Sequence, residues 1–511
     1  MHLLSFLLHV FTPAHLLAMT AGVLCGLVIG SLPGLTANLG VALLLPMTAS
    51  MDATSAMLML MSVYTAAIYG GALPAILLNA PGNWASAATA PDGHALTQRG
   101  ESNKAIRVAT FGSVMGGIAS AIALMLFAPP LATLAVKFGP AEYFMLAIFG
   151  LTIIGTLSSG NVTKGLLSGA LGVLMSTVGL DLDSGFPRFT FGSFNLQSGI
   201  GFVPAAIGLF SLSQALLMCE DANKEPPRVR TAVERWRWTP TWDEIRRIRG
   251  VVARSSLLGI FVGLVPAGAG IGSWFAYNEA KRFAKDKSEF GQGSIIGIAA
   301  SESGANAVTG SSLIPLLTLG VPGSTTAAIL MGALLMHGLQ PGLTLFTKQA
   351  AITYTAILGF LVANILMGVI GMGVGRYMSQ VTRLPNSALI PIIFVLSIVG
   401  SYSLGKNMFD VYTMMAFGLL GYGMRKVGFH PAPMILGMIL GPIAETGFRQ
   451  SVVLSDGPVA AYILRSPISL VFVVLTLVSI STAVWLEMRA PAEPAAGSVP
   501  PAPAPPAAIA K

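Results

Sequence analysis

Long apolar segments alternate with short polar loops along almost the whole chain. Predominantly apolar runs occupy 14–32, 107–128, 141–157, 351–375 and 467–486. A helix needs about 17–25 such residues to cross a bilayer. The pattern therefore predicts an all-α polytopic membrane protein, and with the shorter apolar runs included we expect about 11–13 transmembrane helices.

Composition supports this class. The 511 residues are 54% hydrophobic and 10% charged, whereas soluble proteins carry about 25% charged residues. The net charge of +8 does not indicate nucleic-acid binding, because Lys and Arg lie in short loops between apolar runs. Cys25 and Cys219 form no metal or disulfide motif. The N-terminus lacks a basic signal-peptide region, so we expect the first apolar run to remain a membrane helix.

Charge and proline content divide the chain into four regions. The charged segment 219–250 is predicted to be a cytoplasmic linker between a first membrane repeat, 1–218, and a second, 251–489. The Ala- and Pro-rich tail, 490–511, is expected to be disordered because it cannot bury apolar surface.

The two membrane regions share a pattern of Gly and Pro. Gly26 through Pro33 matches Gly259 through Pro266 at an offset of 233 residues. Further along, Pro74 through Gly82 matches Pro315 through Gly323 at an offset of 241. The agreement in order and spacing predicts an internal repeat.

The loops that follow these matched segments differ in charge. The loop 92–107 carries Arg99, Lys104 and Arg107, whereas its counterpart 337–350 carries only Lys348. Equivalent loops with opposite charge content are typical of halves that cross the membrane in opposite directions. We therefore predict two inverted-topology repeats, with 92–107 and the linker in the cytoplasm.

Segments with closely spaced Pro and Gly interrupt the apolar pattern at matched places in both repeats. They are 30–48, 69–91, 263–278 and 301–326, and each combines short apolar stretches with clustered Ser, Thr or Asn. Broken backbone inside a bilayer is tolerated only where protein or a wet cavity satisfies its polar groups. Paired interruptions favour broken or re-entrant helices at a transporter binding site. The alternative is that the small residues only permit close helix packing.

The residues after each Pro-Gly pair suit an anionic ligand. Asn83 is predicted to cap a helix over 84–88, and Ser324 or Thr325 to cap the next helix in the second repeat. Helix N-termini offer N–H donors and a partial positive charge to a carboxylate. The candidate substrate-binding residues are Thr36, Asn38, Asn79, Gly82, Asn83, Trp84, Ser86, Asn306, Gly323, Ser324 and Thr325.

Two residues are candidates for ion coupling. Glu302 lies at the edge of an apolar stretch, where a carboxylate that binds H⁺ or Na⁺ and a helix cap at the membrane surface are both consistent with the pattern. His337 follows the second Pro-Gly segment, and a structural role competes with coupling there. Asp52 is predicted to cap a helix. Asp181 and Asp183 are predicted to lie in a solvated external loop.

At these motifs the chain resembles the large membrane subunit of the tripartite tricarboxylate transporter family, the TctA type. The similar segments are 30–37, 69–90, 92–94, 266–270, 302–303 and 315–342, and the resemblance covers nearly the whole chain apart from the tail. It implies secondary active uptake of a di- or tricarboxylate across a bacterial inner membrane, with Na⁺ or H⁺ as the coupling ion and no other cofactor. It also implies a small four-span membrane subunit and a periplasmic solute-binding protein as partners.

The chain departs from the family pattern close to the expected site. Asn83-Trp84 replaces Thr-Pro, Ser301 replaces Pro before Glu302, and Ala305-Asn306 replaces paired asparagines. The identity of the carboxylate is therefore open, and Trp84 is a candidate to narrow the site or to stack on an aromatic substrate.

Two other functions compete with transport. One is an organic-anion channel. The other is an integral membrane enzyme that uses Glu302 and His337 as acid and base, which requires the two side chains within hydrogen-bond reach. The sequence has no GxxxxGK[ST], HExxH or GxSxG motif, so we expect no enzymatic activity.

Overall fold

The computed structural model describes residues 2–32, 35–156, 162–181, 184–220, 236–265, 271–375, 377 and 385–489. The tail 490–511, the central part of the linker (221–235) and Asp183 lie outside these residues. The described chain is almost entirely helical, which confirms the all-α prediction.

The helices are labelled in chain order. In the first half, α1 to α12 are His2–Val10, Pro13–Ser31, Ala37–Leu44, Ala53–Gly70, Ala72–Leu78, Ala90–Gln98, Ser102–Ala135, Pro140–Thr156, Val162–Ser176, Phe194–Gln197, Phe202–Ile207 and Ser213–Glu220. In the second half, α13 to α24 are Trp242–Leu264, Gly272–Phe283, Ile295–Ser311, Leu313–Leu319, Thr325–Met336, Leu343–Thr347, Ala350–Gly375, Asn386–Gly405, Met408–Lys426, Ala432–Leu454, Val459–Arg465 and Pro467–Arg489.

Shorter elements connect the helices of the first half. Leu45–Ser50 and Ser86–Ala88 are 3₁₀ turns, and Gly208–Leu212 is a π-helical turn between α11 and α12. Gly179–Leu180 (β1) pairs antiparallel with Pro187–Arg188 (β2), with Gly179 opposite Arg188.

Several helical segments are long and apolar enough to cross a membrane. In the described chain these are Pro13–Ser31, Ala53–Leu78, Ser102–Ala135, Phe202–Glu220, Ala350–Gly375 and Ser387–Gly405. Val459–Arg465 and Pro467–Thr482 together form a further apolar pair, bent by 103° as in a broken span or re-entrant loop. A polytopic protein with broken helices is thus confirmed, and the count of about 11–13 crossings stays a prediction.

Glycines bring the first long helix of each half into backbone contact with the next one. A Cβ on Gly26 of α2 would lie 2.7 Å from the carbonyl oxygen of Val63 in α4. In the second half, Gly259 of α13 faces the carbonyl oxygen of Gly304 in α15 in the same way. Val63 and Gly304 are 241 residues apart and the two glycines 233, so both offsets of the sequence repeat recur in the packing.

The broken helices close identically in the two halves. Asn79 caps the C-terminal end of α5 with a left-handed φ of 54°, and Gly320 caps that of α16 with a φ of 70°. The chain then turns back in both, since the amide of Gly82 donates to the Gly71 carbonyl at 3.2 Å and that of Gly323 to the Ser312 carbonyl at 3.3 Å. Both Pro-Gly pairs therefore complete a compact helix-and-return unit.

Each half places its interrupted segment against the other half. Helix α4 packs against α17 and α19, whereas α15 packs against the Ser86–Ala88 turn, α6 and α7. Helices α7 and α19 also contact each other. The core at the centre of the molecule is therefore built from both halves. The inverted orientation of the repeats and the domain boundaries stay predictions.

Two acidic residues outside the interrupted segments have different outcomes. Asp52 caps α4 by accepting from the Ser55 amide at 3.0 Å, as predicted. The prediction of a solvated loop was wrong for Asp181, which is 6% exposed and pairs with Arg449 at 2.7 Å and with Arg188 at 3.5 Å. Arg449 is too distant in sequence for a local acidic pattern to reveal the pair.

Candidate functional site

The first tip, residues 83–89, begins at Asn83 after the Pro-Gly pair. Its side-chain oxygen accepts from the Ser86 amide at 2.9 Å and from the Ser86 hydroxyl at 2.8 Å, and its Nδ2 donates to the Ile68 carbonyl at 3.0 Å. The predicted helix over 84–88 is only the 3₁₀ turn Ser86–Ala88, and the regular helix α6 begins at Ala90. The contacts of Asn83 with α4 hold the chain in a turn, which explains why no regular helix forms over 84–88.

The second tip, residues 324–327, has the predicted helix start. Ser324 accepts from the Ala327 amide at 3.0 Å and caps α17, a helix of 12 residues. Neither tip contains Lys or Arg, and neither do the residues just before each tip, 80–82 and 320–323. An anion at these tips would therefore be held by N–H and O–H donors and by the positive end of a helix.

Side chains of the first half hold the second tip. The Tyr64 hydroxyl lies 3.1 Å from Ser324 Oγ and 3.2 Å from Ser312 Oγ. Thr326 donates to the side-chain oxygen of Asn38 at 2.5 Å. The predicted residue Asn38 of the first half thus bonds Thr326 of the second half, and the predicted residue Ser324 of the second half bonds Tyr64 of the first. The sequence did not indicate Thr326 or Tyr64 as site residues.

Equivalent residues of the two repeats meet at the centre of the molecule. The Thr65 hydroxyl lies 3.1 Å from Asn306 Oδ1 and 2.7 Å from Asn364 Oδ1. Thr65 and Asn306 are separated by the repeat offset of 241. They therefore occupy the same position of the two repeats and contact each other directly. Asn306 Nδ2 has no partner. Exchanging the amide N and O of Asn306 would let it donate to Thr65, which then donates to Asn364.

Glu302 is 1% exposed in the interior of α15, so the alternative of a surface helix cap was wrong. Thr89 of the first tip donates to Oε1 at 2.5 Å, and Ser113 of α7 donates to Oε2 at 2.8 Å. Thr89 also lies 2.8 Å from the Ser301 hydroxyl. The carboxyl group therefore joins α15 to two elements of the first half.

Asp92 is a second buried carboxylate that links the halves, and the sequence placed it in a polar loop. Its Oδ1 accepts from the amides of Gly291, Gly293 and Ser294 at 2.7, 3.0 and 2.8 Å, and its Oδ2 accepts from the Tyr277 hydroxyl at 3.0 Å. Asp92 thereby fixes the loop before α15 to the helix that follows the first tip.

The remaining candidates lie around these contacts to different degrees. Gly82, Ser86 and Gly323 are buried, Thr36 and Thr325 are half-buried at the starts of α3 and α17, and Trp84 and Asn79 are exposed. The left-handed backbone explains an asparagine at position 79, because Asn tolerates this conformation better than most residues. The Trp84 side chain is 69% exposed, so it is accessible to a ligand.

His337 caps the C-terminal end of α17 and is half-buried. Burial lowers its pKa, and the nearby Asp52 opposes that shift. Its Nε2 has no hydrogen-bond partner, whereas both oxygens of Glu302 are bonded to hydroxyls. The two residues do not form the acid–base pair that the enzyme alternative requires.

Comparison with known proteins shows the family to which the chain belongs. Residues 16–436 match the model of the tripartite tricarboxylate transporter TctA family. The matched region includes both tips, Glu302 and the cross-half contacts described in this section. The chain belongs to the TctA family. This TctA chain is therefore a membrane component of a transporter and a multi-pass membrane protein.

Two relatives come from Agrobacterium vitis. An uncharacterized 52.8 kDa protein in the TAR-I ttuC' 3'region is 35% identical over 474 residues, which are 91% of this chain and 94% of the relative. An uncharacterized protein in the TAR-II ttuC' 3'region is 34% identical over 233 residues, 45% of this chain and 96% of the relative. No solved structure matches this TctA chain.

Proposed function

We propose that this chain is the large permease subunit of a binding-protein-dependent secondary active transporter. It imports a di- or tricarboxylate, or a related organic acid, across the bacterial inner membrane and uses a gradient of Na⁺ or H⁺. A small four-span membrane subunit and a periplasmic solute-binding protein complete the transporter.

The observation that carries the proposal is the pair of equivalent Pro-Gly units with donor-rich tips. Both close by the same backbone hydrogen bond, at Gly82 and at Gly323, and both put a polar capping residue after the turn. A carboxylate needs N–H and O–H donors, and two such tips match a ligand with two or three carboxylates. The substrate site is therefore proposed between the tips, with Glu302 as the coupling group.

Uptake by a reconstituted transporter tests the proposal. The chain is placed in liposomes with its membrane partner, and entry of labelled carboxylates is measured with and without the binding protein and an ion gradient. We expect accumulation only when both are present. Flux that needs neither would instead support the anion channel and would overturn the permease.

A tip variant tests the location of the site. Ser324→Ala removes the hydroxyl that caps α17 and contacts Tyr64, and we expect KM to rise about tenfold, the equivalent of one lost hydrogen bond. Ser62→Ala is the matched control, because Ser62 bonds only the Leu58 carbonyl of its own helix. Equal KM values for the two variants would place the substrate elsewhere.

A further inference from the structure

Glu302 is connected to the first tip through a single side chain. Thr89 lies three residues after Ser86, and its amide donates to the Ser86 carbonyl at 3.0 Å. Its hydroxyl donates to Glu302 Oε1 at 2.5 Å. Any displacement of the Ser86–Ala88 turn therefore moves the hydroxyl that contacts the carboxyl group.

The hydroxyls around Glu302 can serve both of its protonation states without moving a heavy atom. For the carboxylate, Thr89 donates to Oε1 and Ser113 to Oε2. For the carboxylic acid, the proton on Oε1 is donated to Thr89, Thr89 donates to Ser301 at 2.8 Å, and Ser301 donates to the Ile298 carbonyl at 3.1 Å. Every hydrogen has an acceptor in either arrangement.

The helices packed against α15 supply no counterion for Glu302. Their interior titratable groups have other partners: Tyr64 bonds Ser312 and Ser324, Tyr69 bonds Thr110, Asp92 bonds Tyr277 and the 291–294 loop, His94 contacts the Ile76 carbonyl, and Arg107 pairs with Glu244. Arg254 is exposed and pairs with Glu279. Lys104 pairs with Glu101. The other charged residues of α13 and α14 are exposed: Asp243, Arg246, Arg247, Arg249, Lys281 and Arg282.

A buried carboxylate without a counterion is costly, and binding one proton removes its charge. The first repeat has no matching group, since Met61 occupies the position 241 residues before Glu302 and is buried. At this pair of related positions, only the second half therefore carries a carboxyl group.

We propose that Glu302 carries the coupling proton and that Thr89 links its protonation to the ligand state of the first tip. This inference rests on the proposed transport function and specifies its driving ion. One H⁺ converts the Glu302 carboxylate to the carboxylic acid, and the same H⁺ leaves when the carboxylate re-forms. Substrate bound at the Asn83–Ser86 turn shifts Thr89 and so changes which form is favoured.

Proteoliposomes that contain the complete transporter separate coupling from substrate handling. Uptake of a labelled dicarboxylate is driven by an imposed pH gradient or by a Na⁺ gradient, and substrate exchange is measured without either gradient. For Glu302→Gln we expect exchange to continue with a flattened pH profile, and stimulation by the pH gradient to be lost. For Thr89→Val we expect stimulation by the pH gradient to fall more strongly than substrate exchange. Ser303→Ala, whose hydroxyl bonds the Ala299 carbonyl of its own helix, is the matched control and should keep both activities.

Three results would overturn the inference. The first is stimulation of Glu302→Gln by the pH gradient at the wild-type level. The second is wild-type uptake driven by Na⁺ and unaffected by the pH gradient, which leaves the proposed transport function intact. The third is a complete absence of wild-type uptake and exchange, which contradicts the transport function as well. If Glu302→Gln does not assemble, Glu302→Met provides the same comparison with the residue of the first repeat, and Thr89→Val tests the link independently.

Discussion

Asp92 joins the first half of the chain to the loop before α15, and Asp92→Ala tests how strongly that joint holds. The substitution removes four hydrogen bonds to one carboxylate. Gly291 and Gly293 are partly accessible, so water can replace their bonds. The Ser294 amide and the Tyr277 hydroxyl belong to residues that are 3% and 7% exposed, and they would be left without an acceptor.

The magnitude follows from those two buried donors. A hydrogen bond to a charged group contributes about 1.5–3 kcal/mol, so the loss of two such bonds in Asp92→Ala should lower the free energy of opening this loop by about 3–6 kcal/mol. Amide exchange in the 289–297 segment would then be faster by at least about two orders of magnitude. Asp92→Asn keeps one acceptor oxygen, and we expect a loss of only about 1 kcal/mol.

Hydrogen–deuterium exchange of the detergent-solubilised protein, followed by mass spectrometry of that segment, measures the effect. Asp286→Ala is the matched control, because Asp286 lies in the same loop but bonds only Ser288 beside it. We expect the control to leave protection at 293–297 unchanged. If Asp92→Ala also leaves it unchanged, the carboxylate does not hold the loop and the reasoning fails.

Gly30→Ala should destabilise the protein by about 1–3 kcal/mol, because the added Cβ would lie 2.8 Å from the Ala67 Cα. In the control variant Gly250→Ala the added Cβ meets no atom within 4 Å, so this change should be neutral or stabilising. Thermal unfolding compares the two variants. Burial alone would raise the pKa of Glu244, but hydrogen bonds led by that from Arg107 outweigh burial and hold the pKa below the ordinary 4.5. The ionised Glu244 therefore stabilises the fold above pH 4.5, and this contribution is lost as the pH falls through the lowered pKa. Glu244→Gln should accordingly flatten the acid side of the profile of stability against pH. Trp84→Ala should change the preference between aromatic and aliphatic acids in uptake.

Each of these has an outcome that contradicts it. Equal melting temperatures for the two glycine variants would mean that α2 and α4 are not held in backbone contact at that position. An acid profile of Glu244→Gln that follows the wild type would show that its ion pair with Arg107 does not control acid stability. An unchanged substrate preference for Trp84→Ala would remove Trp84 from the site.

The pattern of apolar runs and Pro-Gly pairs was sufficient to predict the class of fold and the position of its breaks. Helix α7 covers the predicted run 107–128, α19 covers 351–375, and the two broken helices, α5 and α16, lie within the matched segments 69–91 and 301–326. These features depend on composition and local backbone chemistry, which a sequence states directly. The helix over 84–88 was mispredicted because Asn83 bonds carbonyls of α4, and a contact to another helix has no local signal.

The contacts within the site were less accessible to sequence reasoning. Thr89, Tyr64 and Asp92 each contact a residue about 200 positions or more away, and a hydroxyl inside an apolar run leaves the hydrophobic pattern unchanged. Thr65 is the exception. Aligning the halves at an offset of 241 places it opposite Asn306, and two polar residues at one position of a membrane repeat would have indicated a shared contact.

The two halves share the backbone structure of their Pro-Gly units but differ in the polar side chains at related positions. The proposed transport function accounts for both features. Under the predicted inverted topology, equivalent Pro-Gly units would allow equivalent rearrangements on the two sides of a membrane, as alternating access requires. Coupling to an ion requires that binding of the ion and of the substrate influence each other, and a site in one half is sufficient for that. At positions related by 241 residues, the first half carries Met61, Tyr64 and Ala85, and the second carries Glu302, Ala305 and Thr326. In the proposed mechanism the symmetric units provide the motion, and these differences place the proton-carrying carboxyl in the second half.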